Sequence, residues 1–320
     1  MILITGGAGY IGSHTVKYLL ENGYECLIFD NLVYGHEKAI LADFIKGDLN
    51  DKNSLDKVFK EYDIDMVVHF AAYAYVGESV ENPQKYYNNN LVGTLNLLDV
   101  MIANDVNKIV FSSTCATYGE PQYIPIDEKH PVNPINPYGK TKSMIDNILE
   151  DYNVAYSLKY ISLKYFNASG ASRDGFLGES HNPETHLIPL VLKAINGEID
   201  HITVFGTDYD TPDGTCVRDY IHVEDLATAH KLALEHLDDF TGFINLGTGT
   251  GVSVKEIIDS AIRITGIEPN IVYGDRRAGD SSVLVCNNSL AKEVLGWEIN
   301  NSDIDNIIET AWNWEQNKKF

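Results

Sequence analysis

Short apolar runs alternate with helical stretches along the first half of the chain. ILIT (2–5), ECLIFD (25–30), DFIKGD (43–48), DMVVHF (65–70) and KIVFSS (108–113) are brief and apolar on both faces, as strands buried in a parallel sheet are. Helical patterns occupy 11–22, 52–61, 81–104 and 138–152, and YSLKYISLKYFN (156–167) reads as a further strand. This alternation predicts an α/β fold, a doubly wound parallel sheet with right-handed crossovers. Such sheets bind ligands beyond the carboxyl ends of their strands.

After about residue 167 the rhythm breaks. SGASRDGFLGESHNPETH (169–186), rich in Gly, Asn, Asp and Ser, has the character of an active-site loop. Shorter elements follow: ITVFG (202–206), RDYIHV (218–223), a helix near 224–238, GFINLG (242–247) and helices near 253–264 and 303–316. The expectation is a nucleotide-binding domain over 1–167 and a smaller α/β lobe over 168–320 that faces the substrate. Part of the second half, about 218–247, is expected to return a strand and helix to the main sheet.

Composition narrows the partners. A net charge of −22 disfavours nucleic acid and anionic membrane surfaces. It also means that an anionic ligand would need a few arginines to reverse the field locally. The cysteines Cys26, Cys115, Cys216 and Cys286 form no C-x-x-C pair and read as free thiols of a reducing cytosol. MILITGGAGYIG has no basic leader and reads as a strand running into a glycine motif rather than a signal peptide. No apolar run approaches the length of a membrane span.

That motif, TGGAGYIGSH (5–14), sets Gly6, Gly9 and Gly12 between a strand and a helix. In this context Gly6 permits the tight turn, Gly9 lets the backbone approach a pyrophosphate at the helix N-terminus, and Gly12 lets the helix pack on the strand. The pattern predicts a Rossmann dinucleotide site. Asp30 ends the second strand, where a carboxylate accepts hydrogen bonds from ribose hydroxyls and repels a 2′-phosphate, so NAD is expected rather than NADP. Asp48 either reaches the adenine or caps the helix that follows it.

YGKTK (138–142) places Tyr138 and Lys142 four apart on one face of a helix opened by NPINP (133–137). An ammonium near a phenol favours the phenolate and lowers its pKa from about 10 toward neutrality, and a positively charged nicotinamide would lower it further. Such a tyrosine can act as a base that returns its proton.

With these residues in hand, the chain resembles the extended short-chain dehydrogenases/reductases and, within them, the UDP-glucose 4-epimerases, over essentially its whole length. The resemblance rests on TGGAGYIGSH, YVGES (75–79), YYNNN (86–90), the FSST strand end, NPYGKTK (136–142), KYFNASGA (164–171), VFGTDYDTPDGTCVRDYIHVEDL (204–226), NLGTG (245–249) and RRAGD (276–280). It implies that bound NAD takes hydride from C4 of a UDP-hexose and returns it to the other face of a 4-keto sugar.

The resemblance also assigns residues. Tyr138, Lys142 and Thr114 are the implied catalytic group, Thr114 hydrogen-bonding the sugar O4 and relaying its proton. Implied cofactor contacts are Gly6, Gly9, Tyr10, Ile11 and Gly12; Asp30, Asn31, Asp48 and Leu49; Phe70, Ala71, Ala72, Asn89 and Ser112; and Tyr138, Lys142, Tyr165 and Phe166. Implied substrate contacts are Thr114, Asn167, His186 and Leu187; Thr203, Val204 and Phe205, the segment that packs on the uracil; and Arg218, Arg277, Asp280 and Leu284. Arg218 and Arg277 match diphosphate-binding arginines, whose planar fork suits phosphate oxygens. Their alternative role is salt bridging with Asp219 or Asp280.

Related sugar-nucleotide dehydratases carry an acidic pair just after the threonine. Here Cys115 and Ala116 stand in its place, and neither can remove a C5 proton or expel a hydroxyl. Oxidation at C4 and its reversal need only the O4 proton managed, which explains a core strand that ends in hydroxyls. Cys115 is expected to pack rather than act as an acid or base.

Three departures from the family pattern stand out. Ala74 replaces a lysine near the cofactor, His186 replaces an asparagine at the substrate, and Leu284 replaces a tyrosine that narrows the sugar pocket. The last suggests room for N-acetylated hexoses such as UDP-N-acetylglucosamine. Among the ten histidines, His69 is expected to be structural. His181 and His186 share a loop without a third ligand in view, so no metal is expected. A cytoplasmic homodimer, joined through helices at 81–104 and 138–152, follows from the resemblance alone. The alternatives are an epimerase of another UDP-sugar, a uronic acid or a pentose, and a non-catalytic NAD-binding regulator on the same fold. A regulator would be expected to lose Tyr138, Lys142 or the strand-end hydroxyl, and all are present.

Overall fold

The computed structural model describes residues 1–277 and 279–320. Its first half runs β1 (Ile2–Thr5), α1 (Tyr10–Glu21), β2 (Cys26–Asp30), β3 (Asp43–Lys46), α2 (Lys52–Glu61), β4 (Met66–His69), α3 (Val76–Glu81), α4 (Pro83–Tyr86), α5 (Gly93–Ala103), β5 (Lys108–Thr114), α6 (Pro137–Tyr156) and β6 (Lys159–Tyr165). The second half adds β7 (Asn167–Ser169), α7 (Leu187–Ile195), β8 (Ile202–Phe205), β9 (Val217–Arg218), β10 (Tyr220–His222), α8 (Val223–Glu235) and β11 (Gly242–Leu246). It ends with β12 (Val252–Ser253), α9 (Val254–Thr265), β13 (Ile271–Gly274), β14 (Val283–Leu284), α10 (Ser289–Leu295) and α11 (Ile304–Asn317).

The main sheet has seven parallel strands in the order β11-β6-β5-β4-β1-β2-β3. Alternate residues of β1 serve opposite faces. Ile2 and Ile4 join one core with Val16, Leu19 and residues of α8, while Leu3 joins another with Leu55, Leu97 and Leu149 from the helices of the far side. Apolar side chains on both faces are what this sandwich of helix, sheet and helix requires. β11 extends the sheet by pairing with β6. The second lobe has its own apolar cluster, in which α7, α9 and α11 cover Ile202 and Val204 of β8.

The structure departs from the sequence pattern in a few places. The helical stretch 81–104 is interrupted at Asn82, whose side chain accepts the Lys85 N–H and which precedes Pro83. Residues 87–92 form a π-turn before α5, and β6 starts only at Lys159 because α6 runs on to Tyr156, where Ser157 stops it at φ 58°. Helices α7 and α10 were not expected.

Candidate active site

A cavity of about 450 Å³ opens at the carboxyl ends of β1, β2, β4, β5 and β6. The glycine turn forms one wall. Gly6 has φ +74°, and a Cβ there would lie 2.6 Å from the Ala71 nitrogen. A Cβ on Gly12 would overlap the Gly6 carbonyl oxygen. Gly9 is the N-cap of α1 and offers no side-chain cap, so the first amides of the helix are left for an anion. Asp30 accepts the Ala8 N–H at 3.0 Å and the Leu32 N–H at 2.8 Å, which fixes its carboxylate at the end of β2. This cradle and carboxylate fit a dinucleotide.

Asp48 lines the same wall. Burial raises its pKa, but hydrogen bonds from Asn50 and from Asn31 at 3.0 Å outweigh it and lower the pKa overall. The cap of α2 is Asp51, which accepts the Ser54 N–H, so helix capping is not the role of Asp48. Ile11, Leu49, Phe70, Ala71 and Ala72 also border the cavity, as do Ala74, Asn89, Tyr165 and Phe166. Tyr10 reaches across to donate its hydroxyl to the Gly170 carbonyl at 2.6 Å.

β5 delivers the hydroxyls. Ser112 and Thr114 line the cavity, while Ser113, on the other face, donates to buried Asp146 at 3.1 Å. Thr114 accepts the Ala116 N–H at 3.2 Å, which turns the chain away after the strand. Tyr138 and Lys142 come from α6, whose start is set by Asn136 accepting the Gly139 N–H at 2.8 Å and by Pro137. Both side chains border the cavity. Lys142, only 2% exposed, donates to the Ser112 carbonyl at 2.6 Å.

Burial dominates the ionisation of this pair. It pushes Tyr138 up to about 12, against a hydrogen bond from Thr114, and pushes Lys142 down to about 7, against the Asp146 carboxylate. The expected acidification of the phenol by the lysine is therefore not met by the protein alone, because both groups sit in a low-dielectric cleft. Burial likewise raises Cys115 to about 12, which removes it from proton transfer near neutrality. His69 is held between the Thr5 and Thr94 hydroxyls at 2.6 and 2.8 Å, as a structural histidine.

Sequence reasoning read 169–186 as an active-site loop and placed His186 at the substrate, but missed the partners that gather around it. Glu179, His181 and His186 line the cavity, and Glu184 joins them from the same loop. His186 Nδ1 lies 2.7 Å from Glu179 and 3.1 Å from Glu184, and His181 Nδ1 lies 3.1 Å from Glu179. Burial alone would lower both imidazole pKa values; the two carboxylates outweigh it and raise them, His181 to about 9 and His186 to about 10. The E-x-H-x-x-E-x-H spacing was the available signal. Buried Asp146, which binds Ser162 and Lys164 beneath Lys142, escaped the sequence reading, and Asp219, read there only as a salt-bridge partner of the arginines, instead accepts from Thr248, Gly249 and Cys286.

Asn167 and Leu187 border the cavity. Thr203, Val204, Phe205, Arg218, Arg277, Asp280 and Leu284 do not; they form a second group beside it on β8, β9, β14 and the segment before β14. Arg277 stacks on the Phe205 ring at 3.8 Å. Arg218 donates to the Val217 and Ser281 carbonyls at 2.9 and 2.8 Å and faces Asp280 at 3.5 Å, so the salt-bridge alternative is present in a weak form. Val204 is buried in the apolar cluster of the lobe, which leaves only its main chain for a ligand. Leu284 packs against the cluster of Tyr118, Ile126, Phe166 and Cys286, and Phe166 borders the cavity.

Comparison with known proteins agrees with this geometry. Residues 2–247 match the model of the NAD dependent epimerase/dehydratase family. A UDP-glucose 4-epimerase of Halalkalibacterium halodurans is 50% identical over 98% of this chain and 95% of its own. The crystal structure of UDP-glucose 4-epimerase from Brucella ovis in complex with NAD superposes with a TM-score of 0.95, at 52% identity and 97% coverage of both chains. The Bifidobacterium longum UDP-glucose 4-epimerase in complex with NAD+ and UDP gives a TM-score of 0.94 at 40% identity, covering 99% of this chain and 98% of that one.

Proposed function

The chain belongs to the NAD-dependent epimerase/dehydratase family, among its UDP-glucose 4-epimerases, and we propose that it interconverts UDP-glucose and UDP-galactose by inverting C4 of the hexose. When bound, NAD would supply a hydride acceptor and donor for C4 and a positive charge that favours the phenolate. The glycine turn, Asp30 and the first amides of α1 hold it, and the Asp30 carboxylate selects against a 2′-phosphate.

The chain's own residues then manage one proton. Thr114 hydrogen-bonds the sugar O4 and passes its proton to Tyr138, the base; Lys142 favours the phenolate and orients the cofactor. Asn167, Arg218 and Arg277 take the diphosphate, and Phe205 packs on the uracil. In this reading residues 1–167 with β11 serve the dinucleotide, and residues 168–320 mainly serve the UDP-sugar.

One observation carries the proposal. The two residues directly after Thr114 are Cys115 and Ala116 rather than carboxylates, and Thr114, Tyr138 and Lys142 border the same cavity as the glycine turn. A C4 oxidation needs only those groups, whereas C5 deprotonation needs more. The test is incubation of the purified protein with UDP-galactose and no added NAD. Formation of UDP-glucose supports both the reaction and a retained cofactor, while a need for NADPH or a net redox change would overturn it. Tyr138→Phe should lose roughly 10²–10⁴-fold in kcat and keep its NAD.

The same reading includes a homodimer through the helices at 81–104 and 138–152, where Val92 and Met144 are exposed, and a cytoplasmic location, with Cys26, Cys115, Cys216 and Cys286 all free. Light scattering behind size-exclusion chromatography tests the dimer. Among the described residues no helix is long and apolar enough to cross a membrane.

A further inference from the structure

We propose that Glu179, His181, Glu184 and His186 form a divalent-cation site, with Zn²⁺ as the best match, that fastens the 179–186 loop over the cavity. Each residue offers one ligand atom, and all four atoms lie within 4.8 Å of one another. The individual nitrogen–oxygen separations are 2.7, 3.1, 3.1 and 3.7 Å. A tetrahedral zinc with bonds of about 2.0–2.1 Å sets its ligands about 3.3–3.4 Å apart, so small rotations would bring all four onto one centre.

The donors are of the right kind and are held in place. Imidazole nitrogens with carboxylate oxygens suit Zn²⁺. Both carboxylates are withdrawn from water, with Glu179 and Glu184 side chains 7% and 4% exposed. Two buried carboxylates need two compensating positive charges, which the two imidazolium groups supply when no cation is bound. One divalent cation supplies them as the imidazole nitrogens give up their protons. The backbone around the group is fixed: Trp314 Nε1 donates to the Glu179 carbonyl at 2.9 Å, and His36 Nε2 lies 2.9 Å from the Ser180 carbonyl. Glu184 accepts the N–H groups of Thr185 and His186 at 2.8 and 2.9 Å.

The consequence is mechanical. The loop joins the glycine-turn side, where Tyr10 meets the His181 ring edge-on at 6.3 Å, to α7, which begins directly after His186. A cation at its centre would fix the wall that faces the glycine turn.

The test uses the protein with its NAD retained, dialysed against EDTA and titrated with Co²⁺, then with Zn²⁺. The expected result is one ion per chain, with the intense visible absorption of four-coordinate cobalt that Zn²⁺ then abolishes. His181→Gln and Glu184→Gln should each bind about 10–100-fold more weakly or worse, since even outer-shell partners of a metal are worth that much. Circular dichroism and NAD content establish that each variant is folded. The proposal is overturned if the wild type takes up no ion on titration, if its cobalt spectrum is the pale one of six-coordination, or if both folded variants bind as tightly as the parent. Should one variant fail to fold, the other and the wild-type spectrum decide.

Discussion

The ammonium of Lys142 is bonded to the main-chain carbonyl of Ser112 at 2.6 Å, two residues before Thr114 on the same strand. Helix α6 and strand β5 are thus clasped beside the cavity that Thr114, Tyr138 and Lys142 border. Lys142→Met removes the clasp and a titrating group that burial has pushed down to about 7. The expected result is a kcat lower by roughly 10²–10⁴-fold, with the limb of the pH–rate profile near 7 lost. An unchanged pH–rate profile would remove Lys142 from the tuning of the base.

Gly12 tests the cradle. A side chain there meets the Gly6 carbonyl, a backbone atom that cannot swing aside. Gly12→Ala should therefore shift the turn, lower stability by about 1–3 kcal/mol, and leave less NAD on the purified protein. Cofactor released by acid and measured per chain checks this; a full complement of NAD in the variant would show that the turn is not what holds it.

Leu284 packs against the buried cluster of Tyr118, Ile126, Phe166 and Cys286, of which Phe166 lines the cavity. If leucine leaves room beside the sugar, the enzyme should epimerise UDP-N-acetylglucosamine as well as UDP-glucose. Leu284→Tyr should then cut the N-acetyl reaction by about 10-fold or more relative to the other, the scale of a steric discrimination of 1–3 kcal/mol. Failure to act on the N-acetyl sugar, even with Leu284→Ala, would end the idea.

Much of this site was legible in the sequence because local rules carry it. Apolar strands that end in Asp30 and Thr114, a glycine turn and an i, i+4 tyrosine–lysine pair are short-range patterns, and most of their residues reach the cavity. What escaped depends on distant parts of the chain. Glu179 and Glu184 lie in a loop without periodicity, so their meeting with His181 and His186 is a matter of loop conformation. Asp146 under Lys142 and Asp219 under the NLGTG loop are buried carboxylates whose partners come from other strands. The ionisation of Tyr138 was misjudged for a similar reason, since spacing reports the neighbouring charge and not the depth of burial.

That depth also governs acid stability. Burial, the largest cause in each case, lowers His14 and His230 to about 4 and His69 and His222 to about 3. Their unfolded pKa is about 6.5, so at pH 7.5 both states are largely neutral and these groups favour neither. As the pH falls through 6.5, the unfolded chain binds protons that the folded one excludes, and stability declines until about pH 4–3. Each histidine can contribute a slope of up to about 1.4 kcal/mol per pH unit in that window. His230 isolates the effect: it is packed 4.7 Å from the Phe70 ring, with Nδ1 2.8 Å from the Leu226 carbonyl and Nε2 without a partner among the described residues. His230→Phe keeps the ring and removes the titration. Thermal unfolding of the NAD-bound protein from pH 5 to 7.5 should show Tm falling less steeply with acid in the variant, and parallel curves would mean that this histidine takes no part in the loss.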